Sequence, residues 1–352
     1  MSLWRHQAPL VHSPGQATRG MIARSIGVLY SGSIASRLFA AVSLIVLARS
    51  VGPTAFGQFV ATISIVRLLS LLISLGMPWL IALFVLLPRI NPALFTTEAV
   101  IWVGLIVWCE ELINTIIVGY QSTLNVRLAS LLTVTPQALI LLGTVLIALY
   151  TQALSTNLVM RSATMIGCTI LAGALWGWRA QFQMRHHLFL PIIIASLPFA
   201  LSNFLVMLYG TADIILVGQL LGSEAEGIYA PASNLIGLLY LAPGAYFAVM
   251  VPVLSRAADA ASPGLPRAMS VYVGVSLLLG ALLAAGMMLV APLFIQIAYG
   301  AAYATTTALL PPLSVVVWLH TVSFSLAAIL TALNLQKQRL IPQTAAAVIN
   351  IG

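Results

Sequence analysis

From residue 23 to the end of the chain, apolar runs of about twenty residues follow one another with only short polar breaks, and that length matches the hydrocarbon thickness of a bilayer. They occupy residues 23–47, 55–75, 99–118, 128–150, 160–178, 190–208, 227–254, 270–290 and 305–330, and a last run starts at Leu340. Inside lipid, every backbone N–H and C=O must find its partner within the protein, which leaves only helices or closed barrels. None of these runs alternates polar and apolar residues as barrel strands do. The expected fold class is all-α, a polytopic transmembrane helical bundle of about 10–11 spans. Composition agrees, since 61% of residues are hydrophobic and 6% charged, too few polar groups to cover a soluble surface.

Within these runs one pattern recurs. Residues 47–61 read LARSVGPTAFGQFVA and residues 217–231 read VGQLLGSEAEGIYAP, so Gly52, Ala55, Gly57 and Phe59 answer to Gly222, Ala225, Gly227 and Tyr229. Each copy joins two apolar runs. A repeated helix-turn-helix in a membrane chain predicts two pseudo-symmetric lobes, which many secondary transporters arrange around a midplane site. The organisation expected is an N-terminal cytoplasmic segment at 1–22, a first lobe at 23–178, an inter-lobe loop at 179–189 and a second lobe at 190–352. The first lobe is short where the second has residues 253–304, so one of its spans is expected to be compressed into residues 79–95, which Pro88, Arg89, Asn91 and Pro92 interrupt. The last run ends within apolar sequence, AAAVINIG, and the second lobe is expected to be C-terminally incomplete.

Lys and Arg number 15 against seven acids, a net charge of +8. The basic residues stand singly near run ends and form no stripe, which fits membrane orientation and excludes a nucleic-acid surface. Arg127, the loop at 179–187, Arg256 with Arg267, and Lys337 with Arg339 are expected on the cytoplasmic face, with Arg5, Arg19, Arg24 and the N-terminus. Glu224 and Glu226 fall in a turn on the opposite face. This parity requires an additional crossing between Leu75 and Glu98. The leading segment has no small-x-small cleavage site and reads as preceding a retained first span. Cys109 and Cys168 lie inside apolar runs and read as packing residues.

A charge at the bilayer centre costs roughly 2.5 to 3.5 kcal/mol on insertion scales, so charges kept there face partners or a wet cavity. Arg37 lies mid-run with Ser33 one turn before it, and Ser64, Arg67, Ser70 and Ser74 form a polar stripe at helical spacing. Two guanidiniums in one cavity suit a phosphate or pyrophosphate. The alternatives are ion pairs with Glu110 or Glu111 that hold helices together, or snorkelling at helix ends. Glu110 and Glu111 diverge by about 100° on a helix, so one of them faces a cavity, as a carrier of a coupling proton or cation or as an ion-pair partner.

Asn203, Gly210 and Asp213 share a face behind Pro198, where Asp213 reads as a gate, a solvated side chain or a turn cap. Ser233, Gly237, Tyr240 and Gly244 form a stripe of small and polar residues that reads first as close packing, with Asn234 beside it. His320 is either a hydrogen-bonded packing residue or a proton relay. Arg161, near a run end, is expected to snorkel. The chain contains no H-E-x-x-H, P-loop, G-x-S-x-G or C-x-x-C pattern, so catalysis, a metal and a cofactor have no support.

The hairpin LARSVGPTAFGQF, with its R-x-x-G-P-x-x-F/Y-G turn, resembles the multidrug/oligosaccharidyl-lipid/polysaccharide exporter superfamily, and within it the bacterial polysaccharide flippases that move O-antigen or capsule repeat units. Residues 197–256, LPFALSNFLVMLYGTADIILVGQLLGSEAEGIYAPASNLIGLLYLAPGAYFAVMVPVLSR, resemble that family's seventh and eighth helices, and IAYGAAYATTTALLPPLS resembles the approach to its tenth. The likeness covers most of the chain and identifies the scaffold more firmly than the cargo. It implies a transporter rather than an enzyme, moving a lipid-linked saccharide across the bacterial cytoplasmic membrane by alternating access between lobes. Arg37 and Arg67 would contact phosphate, and Ser64, Ser70, Asn203 and Asn234 would line the sugar path. Glu110, Glu111, Asp213 and His320 would be coupling-ion or ion-pair groups. The implied partners are the lipid-linked saccharide, membrane lipid and other polysaccharide-assembly proteins, with no nucleic acid and no cofactor. The same scaffold leaves open a cation-coupled multidrug exporter, which would favour acidic and aromatic cavity residues, and a truncated membrane scaffold that transports nothing.

Overall fold

Straight, a helix over residues 27–68 would reach about 63 Å at 1.5 Å per residue, twice the hydrocarbon core. Helix α1, Gln16–Leu68, is divided into two arms at Gly52, where φ is 80° and ψ 171°. Only glycine adopts that conformation without strain. The computed structural model describes residues 16–68, 91, 95–123, 125–177, 207–208, 210–260, 262–333, 335 and 338, with side chains from residue 27.

Three further described helices belong to the first lobe: α2 (Thr97–Ser122), α3 (Val126–Tyr150) and α4 (Leu154–Gly177). The Thr96 hydroxyl caps α2 by accepting from the Ala99 N–H at 3.2 Å, and Glu98 stands in its first turn, where the helix dipole favours an acid. The second lobe contains α5 (Gly210–Leu221), α6 (Ser223–Leu239), α7 (Leu241–Asp259), α8 (Leu265–Leu289) and α9 (Ala291–Ala298). Its last described elements are a 3-10 segment, Ala301–Leu309, and α10, Leu310–Ala332, into which that segment runs. Among the described residues all elements are helical and seven spans are long and apolar enough to cross a membrane, with α1, α6 joined to α7, and the 3-10 segment joined to α10 each counting once.

Boundaries differ from expectation in three places. The first helix begins at Gln16, inside the segment expected to precede the membrane. The run at 227–254 is two helices parted at Tyr240, because Pro243 in the first turn of α7 has no N–H to continue the ladder from α6. The tenth-type span starts early, as the 3-10 turn after Gly300. Most of the compressed crossing expected at 79–95, the loop at 179–189, most of the run at 190–208 and the run from Leu340 lie outside the described residues.

Three apolar clusters show how the lobes meet. One combines Leu47, Phe56 and Phe59 of α1 and Val100 of α2 with Ala230 of α6, Ile295 of α9, Tyr303 and Leu310, so it belongs to both lobes. A second, with Ile117, Tyr120, Ala129 and Leu132, belongs to the first lobe, and a third, with Leu254, Tyr272, Ala328 and Ala332, to the second. Helix α2 starts in the shared cluster and ends in the first-lobe cluster. The lobes therefore share a core at the end carrying the Gly52 and Gly222 turns and keep separate cores at the other. Arg127, Arg256 and Arg267 flank the separate cores, opposite Glu224, which is the partition expected from charge. In lipid the shared cluster stabilises through close packing rather than removal from water.

Candidate functional site

The two hairpins dock on each other reciprocally. A Cβ on Gly57 would fall on the backbone carbonyl of Ser223, and a Cβ on Gly227 would fall on that of Pro53. In the repeat, Gly57 answers to Gly227 and Pro53 to Ser223, so the two contacts are one contact applied twice about a pseudo-twofold axis. Gly222 has φ 90° and ψ 174°, matching Gly52. Gly300, at φ 88° and ψ −178°, gives a third turn of this type before the 3-10 segment. Tyr303 Oη donates to the Ala48 carbonyl at 2.8 Å and Arg49 Nη1 to the Ile297 carbonyl at 3.2 Å, both across the lobes. Asn91 Nδ2 donates to Gln219 Oε1 at 3.3 Å. On this face the lobes are closed.

Deeper, Arg67 meets Glu110. Arg67 Nη2 lies 3.0 Å from Glu110 Oε2 and 3.3 Å from Oε1, with side chains 46% and 28% exposed. One terminal nitrogen makes both bonds, and the rest of the guanidinium has no other partner among the described residues. Next to the pair is a cavity of about 70 Å³ lined by Ser36, Glu110, Asn114, Thr133 and Gln137, drawn from α1, α2 and α3. Glu111 is half-buried, and Ser64 is buried one turn before Arg67.

Arg37 and Arg67 are equally distant from Gly52 on opposite arms, and Ser36 shares the cavity with Glu110, so the two arginines lie at similar depth. They do not touch. Arg37 belongs to the exposed face of α1 with Tyr30, Ile34, Leu38 and Val42 and has no hydrogen bond or ion pair among the described residues. Ser70 and Asn203, like Ser74 and Pro198, lie outside the described residues.

Arg161 does not snorkel. It is 7% exposed, and Nη2 donates to Ser43 Oγ at 2.6 Å and to Thr144 Oγ1 at 3.2 Å, while the guanidinium lies over the Phe59 ring at 5.6 Å. The helices packed around α4 supply hydroxyls and an aromatic face, a substitute for the water it was expected to reach. The repeat places Asp213 where the first lobe has Ser43, and Tyr229 where it has Phe59. There the Tyr229 hydroxyl donates to Asp213 Oδ2, so Asp213 is tied to the neighbouring helix rather than capping a turn. His320 stacks on Tyr240 with ring centroids 4.3 Å apart and meets Phe324 edge-on. Asn234 is half-buried, with its amide nitrogen enclosed and unbonded among the described residues.

Sequence reasoning missed Glu226. Read only as part of the turn on the face opposite the basic connections, it is 0% exposed, and neither carboxylate oxygen has a hydrogen-bond partner among the described residues. Glu224 alone of the two is exposed. The signal was in the repeat, since Glu226 answers to Phe56, an interior residue of the first hairpin. No group of three His, Cys, Asp or Glu side chains that would hold a metal occurs among the described residues.

A family model described as "Polysaccharide biosynthesis protein" matches residues 79–308, and a second model of the same description matches residues 22–86. No curated protein matches the chain. The crystal structure of a MATE protein carrying a proline-to-alanine substitution is similar with a TM-score of 0.50 and 14% identity, covering 95% of this chain and 77% of that one. At that identity the likeness is one of fold.

Proposed function

This chain belongs to the polysaccharide biosynthesis protein family, and from that premise we propose that it is a flippase for a lipid-linked saccharide, working by alternating access in a bacterial cytoplasmic membrane with its N-terminus in the cytoplasm. Membership makes it a multi-pass membrane transporter of the multidrug/oligosaccharidyl-lipid/polysaccharide exporter superfamily, a transporter type rather than an enzyme type. The observation that carries the mechanism is the division of the core: the lobes share packing at the hairpin end and have separate cores at the other. Reversing that division, by parting the hairpins and joining the opposite ends, moves access to a midplane site from one face to the other.

The cargo reading is supported by Arg67. Its ion pair with Glu110 uses one nitrogen, so a guanidinium fixed in position keeps donors for a second anion, and Arg binds phosphate oxygens as a fork that never loses its charge. Ser36, Asn114, Thr133 and Gln137 supply hydroxyl and amide groups of the kind that bind sugar hydroxyls. Arg37, unpaired at similar depth, is the second phosphate contact in this reading.

In reconstituted vesicles loaded with a lipid-linked oligosaccharide, Arg67→Ala is expected to abolish translocation at unchanged membrane abundance. Arg67→Lys retains part of it if charge alone acts and none if fork geometry is required. Full translocation by the Arg37→Ala, Arg67→Ala double variant would remove both residues from cargo binding and leave Arg67 as the structural partner of Glu110.

A further inference from the structure

Glu226 lies at the seam that alternating access must open. It stands in the first turns of α6, one residue before Gly227, which rests on the Pro53 carbonyl of the other hairpin. Its carboxyl group points at α5, where a Cβ on Gly218 would overlap Oε2, and both oxygens are enclosed without a hydrogen bond among the described residues. In the first hairpin the same two positions hold Ala48 and Phe56, both buried and apolar. The second hairpin thus has a carboxyl group where its twin has a benzene ring, and a glycine where its twin has a methyl group.

An ionised carboxylate is not stable in such a place without a partner, whereas the neutral acid is. The titratable and charged groups of the surrounding elements have bonds elsewhere, stand in the open or, for Tyr299, pack in the shared cluster. Arg49 of α1 donates to the Ile297 carbonyl, Tyr303 to the Ala48 carbonyl and Tyr229 to Asp213. Glu224 is exposed, and Tyr299 is buried in the shared cluster. None of them bonds Glu226. A metal cation needs several oxygen ligands, and here the carboxyl group is packed toward Gly218, in no cluster of three His, Cys, Asp or Glu side chains among the described residues. A proton needs only the carboxyl group itself.

We propose that Glu226 is a proton-binding site at the seam between the lobes, protonated while the hairpins are docked and ionised when they part. On opening, water enters the seam, the O–H bond breaks, the proton passes to water and the carboxylate is left hydrated. On closing, the carboxylate takes a proton back before it is enclosed. Any use of this proton in transport rests on the alternating-access reading above; the binding itself does not.

The test uses the full chain in lipid nanodiscs, with Cys109→Ser and Cys168→Ser and spin labels at Thr54→Cys and Leu221→Cys, one on each hairpin. Raising the pH is expected to lengthen the label distance, the parted-to-docked ratio rising by about tenfold per pH unit above the pH at which the parted, hydrated carboxyl ionises and levelling off once the docked acid ionises as well, as for one linked proton. Glu226→Gln and Glu226→Leu are expected to stay docked at every pH, and Glu224→Gln to follow the parent profile. The infrared band of a protonated carboxylic acid should be present in the docked parent and missing in Glu226→Gln. A parent profile that is flat, or the same in both Glu226 variants, overturns the proposal, as does a docked parent without that band. Neither readout involves cargo, so failure here leaves the Arg67 experiment intact, and failure of that experiment leaves this one intact.

Discussion

Arg161 and Glu226 are both enclosed, yet the chain provides for them in opposite ways. Arg cannot shed its charge, so Arg161 is surrounded by acceptors: the Ser43 and Thr144 hydroxyls and the face of Phe59. Glu can be neutral, and Glu226 has no hydrogen-bonding partner among the described residues. Removing an acceptor from Arg161 should therefore be costly. Ser43→Ala is expected to destabilise the protein by about 1.5–3 kcal/mol, the worth of a hydrogen bond to a charged group, measured by reversible unfolding in detergent micelles. Arg67 and Glu110 offer the contrast, being partly exposed. Glu110→Gln is expected to change stability by less than about 1 kcal/mol in the same measurement, while altering cargo affinity through the guanidinium it no longer holds as an ion pair.

The hairpins are the elements through which the lobes meet, and their glycines have distinct tasks. Gly52 and Gly222 provide a backbone conformation closed to other residues, and Gly222→Ala is expected to cost about 1–3 kcal/mol from strain alone, since open space surrounds its would-be Cβ. Gly57 and Gly227 have ordinary helical backbones and are needed for close approach. Gly57→Ala and Gly227→Ala are each expected to push the hairpins apart, lengthening the distance between labels on Thr54 and Leu221 by a similar amount because their contacts are symmetry-related. Gly167 of α4 has nothing within 4 Å of its would-be Cβ. There alanine should be neutral or stabilising by up to about 1 kcal/mol through helix propensity.

At the scale of the whole molecule, Arg127, Arg256 and Arg267 stand at the end opposite the hairpins. A cysteine replacing Arg127 is expected to react with an impermeant thiol reagent only from the cytoplasm, and cysteines at Thr54 and Leu221 only from the outside. Reaction of all three from one side of intact cells would overturn the orientation. Under the proposed alternating access, the closed hairpin end and the separate cores at the other are one state of a cycle. Locking the hairpins with a Thr54→Cys, Leu221→Cys cross-link should stop translocation, with activity returning on reduction.

Run length and the lack of alternation were enough to determine a helical membrane bundle, because in lipid an unpaired backbone group has no water to turn to. The glycines were enough to identify the two equivalent turns, because only glycine takes that conformation and the repeat kept both in place. The partners of the charged side chains were decided by the tertiary structure. Arg67 finds Glu110 43 positions along the chain, and Arg161 finds Ser43 118 positions back, and such pairings depend on how each helix is rotated against its neighbours. Glu226 shows the same limit at closer range. Its spacing placed it in a turn beside Glu224, but which side of the turn meets water is settled only when the second hairpin closes on the first, and that closure puts Glu226 inside and leaves Glu224 out.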